Sequence, residues 1–178
     1  MERVISSIDR INEIVGKTFA WLILGMTFAL GYEVFSRYFF NKPTTWAFDA
    51  SYILYGTYFM MGSAYTLSRN AHVRGDIFYR NFSDRVQAII EVPLYILVLF
   101  PAMLALIYVG QDYFLDSFRL RETSPLSPYD TPIYPLKAVI PVAAFLLLLQ
   151  GVAQVLRCVH AIRTGSWPAG YREPEVLE

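Results

Sequence analysis

The sequence predicts an all-α membrane protein. It has four transmembrane helices, an N-terminal amphipathic interfacial helix, and both termini in the cytoplasm. Three observations carry this reading. Residues 18–32, 50–67, 92–111 and 138–156 contain no Asp, Glu, Lys, Arg or His, and a spanning helix needs roughly 20 mostly apolar residues. Charged residues make up 17% of the chain, against about a quarter in soluble domains, and the deficit falls in these four runs. The 15 Lys and Arg residues also divide unevenly between the two sides that four spans create. A soluble bundle would show polar stripes at helical period, and residues 95–108 and 143–149 show none.

The chain opens with MERVISSIDRINEIVGK. Val4, Ile8, Ile11 and Val15 recur at three and four, with Arg3, Asp9, Arg10 and Glu13 elsewhere. That pattern suits a helix lying on the membrane surface; a plain helical extension of the first span fits it equally. No small-residue cleavage site follows, so a cleavable signal peptide is not expected. The first span, about residues 15–38, reaches full length with Lys17 and Glu33 near its ends, where charged groups lie at the headgroups. Pro43, Thr44 and Thr45 then break the chain and start the second span, about 46–69, with Asp49 in its first turn at the positive end of the helix dipole.

Asn70 tolerates the left-handed conformation that ends such a helix. Ser83 and Asp84 start the third span, about 86–112, and Pro135 heads the fourth, about 136–160. Pro93, Pro101 and Pro141 lie in or near spans, where neighbouring helices satisfy the freed carbonyls. One domain, residues 1–165, therefore precedes a loose tail at 166–178.

With four spans, one side holds Arg3, Arg10, Lys17, Arg69, Arg74, Arg80, Arg85, Arg157, Arg163 and Arg172. The other holds Arg37, Lys42, Arg119, Arg121 and Lys137. The excess marks the first side, with both termini, as cytoplasmic.

The elbow at 37–49, RYFFNKPTTWAFD, then lies at the outer interface. Glu33 and Arg37 are four apart and share a helix face. Asp49 returns at the same depth, within reach of Arg37, and Trp46 suits the aromatic belt. A charge-stitched hairpin accounts for these residues; so does a charge offered to another subunit. In the central cytoplasmic loop, residues 67–85, Arg69, His72, Arg74 and Asp76 suit contact with anionic lipid or a subunit. No Gly-rich phosphate loop precedes a helix there, so neither a nucleotide nor a nucleic acid is expected.

Inside the spans ionisable groups are nearly absent, where a transport or catalytic core usually shows them. Gln150 and Gln154 flank Gly151, and Gly56, Thr57, Gly62 and Ser63 lie on span two. Such small and amide residues favour close packing and interhelical hydrogen bonds over substrate binding. Cys158 is the single cysteine, so an intramolecular disulfide and a multi-thiolate metal site are excluded. His72 and His160 are not placed for bis-histidine haem. No catalytic residue, cofactor or metal is expected, and a partner subunit is. The rival readings are a stand-alone small transporter or channel and a four-span redox subunit.

Several short motifs recur in order. They are Arg37-Tyr38 with Trp46 and Asp49, then Asn70-Ala71-His72-Val73-Arg74 with Asp76. Glu122, Ser124 and Pro125 follow, then Tyr134-Pro135-Leu136-Lys137, Ile140-Pro141, and LLLLQG at 146–151. On these the chain resembles the small membrane (Q) subunit of tripartite ATP-independent periplasmic (TRAP) transporters, over about residues 11–163; Asp49 departs from the glutamate more usual there. The resemblance implies a large membrane (M) subunit that moves an organic acid by a sodium-driven elevator motion, and a periplasmic substrate-binding (P) subunit that delivers it. It implies that this chain is a non-catalytic buttress of the large subunit's scaffold in the bacterial inner membrane, among membrane lipids.

Overall fold

The computed structural model describes residues 1–70, 79, 82–125, 128–168 and 171. Among them the regular structure is helical, apart from one isolated bridge between Thr123 and Pro132. The helices are α1 (Glu2–Ala20), α2 (Leu22–Phe40), α3 (Trp46–Ser68), α4 (Asp84–Leu94), α5 (Phe100–Arg119) and α6 (Tyr134–Thr164). Trp21 joins α1 to α2 with helical φ −64° and ψ −18°. A π turn, Tyr95–Leu99, joins α4 to α5, with the Phe100 N–H donating to Tyr95 O. It sits between Pro93 and Pro101, which cannot donate to the ladder, so the register changes where it is already interrupted.

Three helices are long and apolar enough to cross a membrane: Glu2–Phe40, Asp84–Arg119 and Tyr134–Thr164. The fourth expected span, α3, has 23 residues, about 34 Å at 1.5 Å per residue. It meets the length but not the apolarity, because Tyr, Gly, Ser and Thr occupy positions that Leu, Ile and Val fill in the others.

Helix ends follow the local chemistry. Thr45 precedes α3 and Asp49 lies in its first turn. Ser83, extended at φ −63° and ψ 153°, precedes α4, and Pro135 lies in the first turn of α6. Asn41 and Asn70 take left-handed φ of 51° and 54° after α2 and α3, a conformation asparagine tolerates. Gly165, at φ 81°, ends α6 with its N–H on Ala161 O at 2.8 Å.

The long helix α6 is central. It packs against α3 and α1 on one flank and α4 and α5 on another, while α2 packs chiefly on α3. Small residues make the close approaches. A Cβ on Gly16 would lie 2.5 Å from Tyr65 Cβ, one on Gly56 3.0 Å from Leu136 Cδ1, one on Gly110 3.2 Å from Ile140 Cγ2, and one on Gly151 2.5 Å from Leu99 Cδ2. Met61, Ala64, Ala143 and Leu146 form one core cluster, and Ala88, Cys158 and Ala161 another. Lipid tails are as apolar as leucine, so such helices gain by packing density rather than by leaving water.

On α1 the residues packed against the other helices are not those of the apolar stripe alone. Asn12 and Gly16 are buried and Val15 meets the core, whereas Val4 and Ile11 point outward. Polar partners on α6 set this orientation: Gln150 and Arg157 hold Asp9 and Asn12.

Candidate functional site

Two polar assemblies lie at opposite ends of the helices. The first closes the elbow between α2 and α3. Glu33, nearly buried, accepts from Arg37 Nε at 3.0 Å and Nη2 at 2.5 Å through Oε1. Its Oε2 accepts from the Thr44 N–H at 2.6 Å and from the Thr44 hydroxyl. One carboxylate thus ties the last turns of α2 to the residues that start α3. The Ser36 hydroxyl donates to Lys42 O at 2.6 Å, and the Trp46 ring lies 5.7 Å from Tyr32. The pairing of Glu33 with Arg37 follows the four-residue spacing. Asp49 turns elsewhere: it is buried and accepts from the Ser124 hydroxyl at 2.7 Å. Arg37 pairs with Glu33 alone among the described residues, and its side chain is 57% exposed.

Ser124 belongs to the loop between α5 and α6, which is pinned several times. Its N–H donates to Thr131 O at 2.8 Å, and the Ile133 N–H to Glu122 O at 3.1 Å. Lys137 donates to Glu122, with its ammonium 3.8 Å from the Tyr113 ring centroid. The Lys137 ammonium holds the Glu122 carboxyl below the usual carboxylate range. A depressed pKa stabilises the folded loop above the unfolded value, near 4.3, and that contribution disappears as pH falls through the folded value. The melting temperature of the wild type should therefore exceed that of Glu122→Gln at neutral pH, with the gap closing below about pH 4.5. A gap that stays constant down to pH 3 would show that the pair does not fasten the loop.

The second assembly lies where α1, α3 and α6 meet. Gln150 and Gln154 are fully buried and Arg157 nearly so. Gln150 accepts from Asn12 Nδ2 at 2.6 Å and donates to Asp9 Oδ1 at 2.9 Å. Arg157 donates to Asp9 Oδ2 and, at 3.0 Å, to Gln154 Oε1. Gln154 donates to Leu67 O at 2.8 Å, closing on α3. In the tail expected to be loose, Tyr171 donates to Gln154 Oε1 at 2.5 Å, and its ring lies 4.7 Å from Arg157 Cζ. Asn70 donates to Tyr171 O at 2.8 Å. Of the remaining tail, residues 169–170 and 172–178 lie outside the described residues.

Gln150 and Gln154 thus make the interhelical hydrogen bonds that their spacing on α6 suggests. Asp9, Asn12, Arg157 and Tyr171 are partners that sequence reasoning missed. A signal was present: Gln150, Gln154 and Arg157 recur at four and three, and Asp9 and Asn12 at three, so each set shares one helix face.

Of the four residues expected in the cytoplasmic loop, Arg69 pairs with Glu13 at 3.1 Å, and its Cζ lies 5.6 Å from the Tyr65 ring centroid. His72, Arg74 and Asp76 lie outside the described residues. Beside the loop, Glu91 accepts from the Tyr79 hydroxyl and, at 3.5 Å, from Cys158 Sγ. Cys158 is fully buried, so labelling there would report opening of the helices rather than sidedness. Among the described residues no group of three His, Cys, Asp or Glu could hold a metal ion. What the arrangement does chemically is fasten helices and loops to one another.

The family model described as "Tripartite ATP-independent periplasmic transporters, DctQ component" matches residues 26–161. The elbow, the pinned loop and the α6 half of the second assembly fall inside that match; Asp9 and Asn12 precede it. No curated protein matches the chain.

Proposed function

The chain belongs to the DctQ component family of tripartite ATP-independent periplasmic transporters, and from that premise we propose that it is the transporter's non-catalytic small membrane subunit. It packs against the scaffold of the large membrane subunit and supports sodium-coupled uptake of an organic acid delivered by a periplasmic binding protein. It crosses the bacterial inner membrane four times, as the end of α1 with α2, as α3, as α4–α5 and as α6, with the start of α1 at the interface and both termini in the cytoplasm.

One observation carries the buttress reading beyond the family match. The buried side chains at both ends, Glu33, Asp49, Lys137, Gln150, Gln154 and Arg157, are all engaged in holding neighbouring helices or loops. A fixed support needs such internal fastening, whereas a moving carrier needs groups available to a solute or ion.

Arg37 is the residue on the elbow best placed to meet the large subunit. Its side chain is 57% exposed, and without it the Glu33 carboxylate keeps both donors of Thr44. Arg37→Ala should therefore leave the melting temperature of the isolated subunit nearly unchanged. In affinity purification from membranes it should recover less large subunit. Equal recovery at equal expression would remove Arg37 from the interface.

A further inference from the structure

Over α1 the charges balance in sequence, with Glu2, Asp9 and Glu13 against Arg3, Arg10 and Lys17. Folding separates them by side. Asp9 faces Arg157 and Gln150, and Glu13 takes Lys17 at 2.6 Å and Arg69 at 3.1 Å. Arg3 and Arg10 point away, exposed and without an acidic partner among the described residues. Positions 3, 7, 10 and 14 recur at four and three, so they form one continuous stripe, and Glu2 lies off it. Val4, Ile11 and Ile14 flank or join that stripe and are 51%, 48% and 57% exposed. The face left after packing is thus cationic and aliphatic, although the helix is neutral.

Such a face fits neither water nor acyl chains alone. Exposed aliphatics are unfavourable in the first, and guanidinium groups in the second. At the headgroup boundary both are satisfied, with apolar groups dipping inward and long basic side chains reaching phosphates. The attachments of α1 agree with that depth: Glu13 meets Arg69, which follows directly on α3, and Asp9 meets Arg157 in the second half of α6.

We propose that the outward face of α1 binds anionic phospholipid headgroups, with Arg3 and Arg10 on the phosphates and Val4, Ile11 and Ile14 in the adjoining acyl boundary. The second assembly creates this site, because it is Arg157, Gln150 and Arg69 that turn the acids away from it.

The test uses the full-length chain in nanodiscs of phosphatidylcholine with increasing phosphatidylglycerol. An environment-sensitive fluorophore is attached at Ser7→Cys, and buried Cys158 stays unlabelled in the folded protein. The emission should shift to the blue as the anionic fraction rises, and should return on adding salt. Each of Arg3→Gln and Arg10→Gln should weaken the apparent lipid affinity about fivefold; the double variant should lose the response, and the double lysine variant should keep it. An equal shift in phosphatidylcholine alone, no shift at all, or a shift that survives loss of both arginines would each overturn the proposal. A response transferred from lipid to an added acidic protein would overturn it in favour of a protein partner.

Discussion

Replacing Arg157 by methionine, which keeps most of the side-chain volume, lowers the unfolding free energy of the chain by about 3 kcal/mol. Arg157 is nearly buried and donates to both Asp9 and Gln154. Its loss leaves the Asp9 carboxylate without its cation and Gln154 Oε1 with only the Tyr171 hydroxyl among the donors described above. Removing one partner of a buried pair costs about 3–5 kcal/mol, chiefly by stranding the other charge. Asp9 keeps 31% side-chain exposure, which places the effect at the lower end. The double variant Arg157→Met with Asp9→Leu should recover much of the loss, since no charge remains stranded. Denaturant titration in mixed micelles measures all three proteins. A single variant within about 0.5 kcal/mol of wild type would show that the pair does not fasten α1 to α6.

Gly16→Ala and Gly62→Ala should act in opposite directions. A Cβ at Gly16 would lie 2.5 Å from Tyr65 Cβ and 2.8 Å from Cγ. Tyr65 Cβ is fixed to the backbone and does not move with χ1, so α1 and α3 must separate, at a cost of about 1–3 kcal/mol. At Gly62 nothing lies within 4 Å, and alanine gains about 0.8–1 kcal/mol of helix propensity. Melting temperatures of the two variants, compared in one detergent, check this. If Gly16→Ala is as stable as wild type, the close approach of α1 to α3 is not the native packing.

How legible this was in the sequence depends on the range of the interaction. Helix starts and stops were readable because their signals are local: Asp49 in the first turn of α3, extended Ser83 before Asp84, Pro135 at the head of α6, left-handed Asn70 after α3. The pair Glu33–Arg37 was readable for the same reason, since four residues on a helix fix the neighbours. Thr44 as the second partner of Glu33 was not, because it depends on how the elbow folds back. Ser124 for Asp49 was further out of reach, at 75 residues' separation, as was Asn12 for Gln150 at 138.

Which face α1 turns to the other helices was not legible either, since its apolar stripe suited a helix on the membrane surface. In the membrane-associated part of a chain, apolar residues can face outward at little cost, so a hydrophobic stripe loses its power to point inward. The polar residues Asp9 and Asn12 set the orientation instead, through partners on α6 that sequence spacing cannot supply.

Uptake by proteoliposomes tests the central claim most directly. Vesicles would carry the large subunit with this chain, the large subunit alone, or this chain alone, each supplied with a sodium gradient, the periplasmic binding protein and its labelled organic acid. Uptake is expected only where both membrane subunits are present, and none with this chain alone. Transport by this chain alone, or undiminished transport by the large subunit without it, would contradict its role as a supporting subunit.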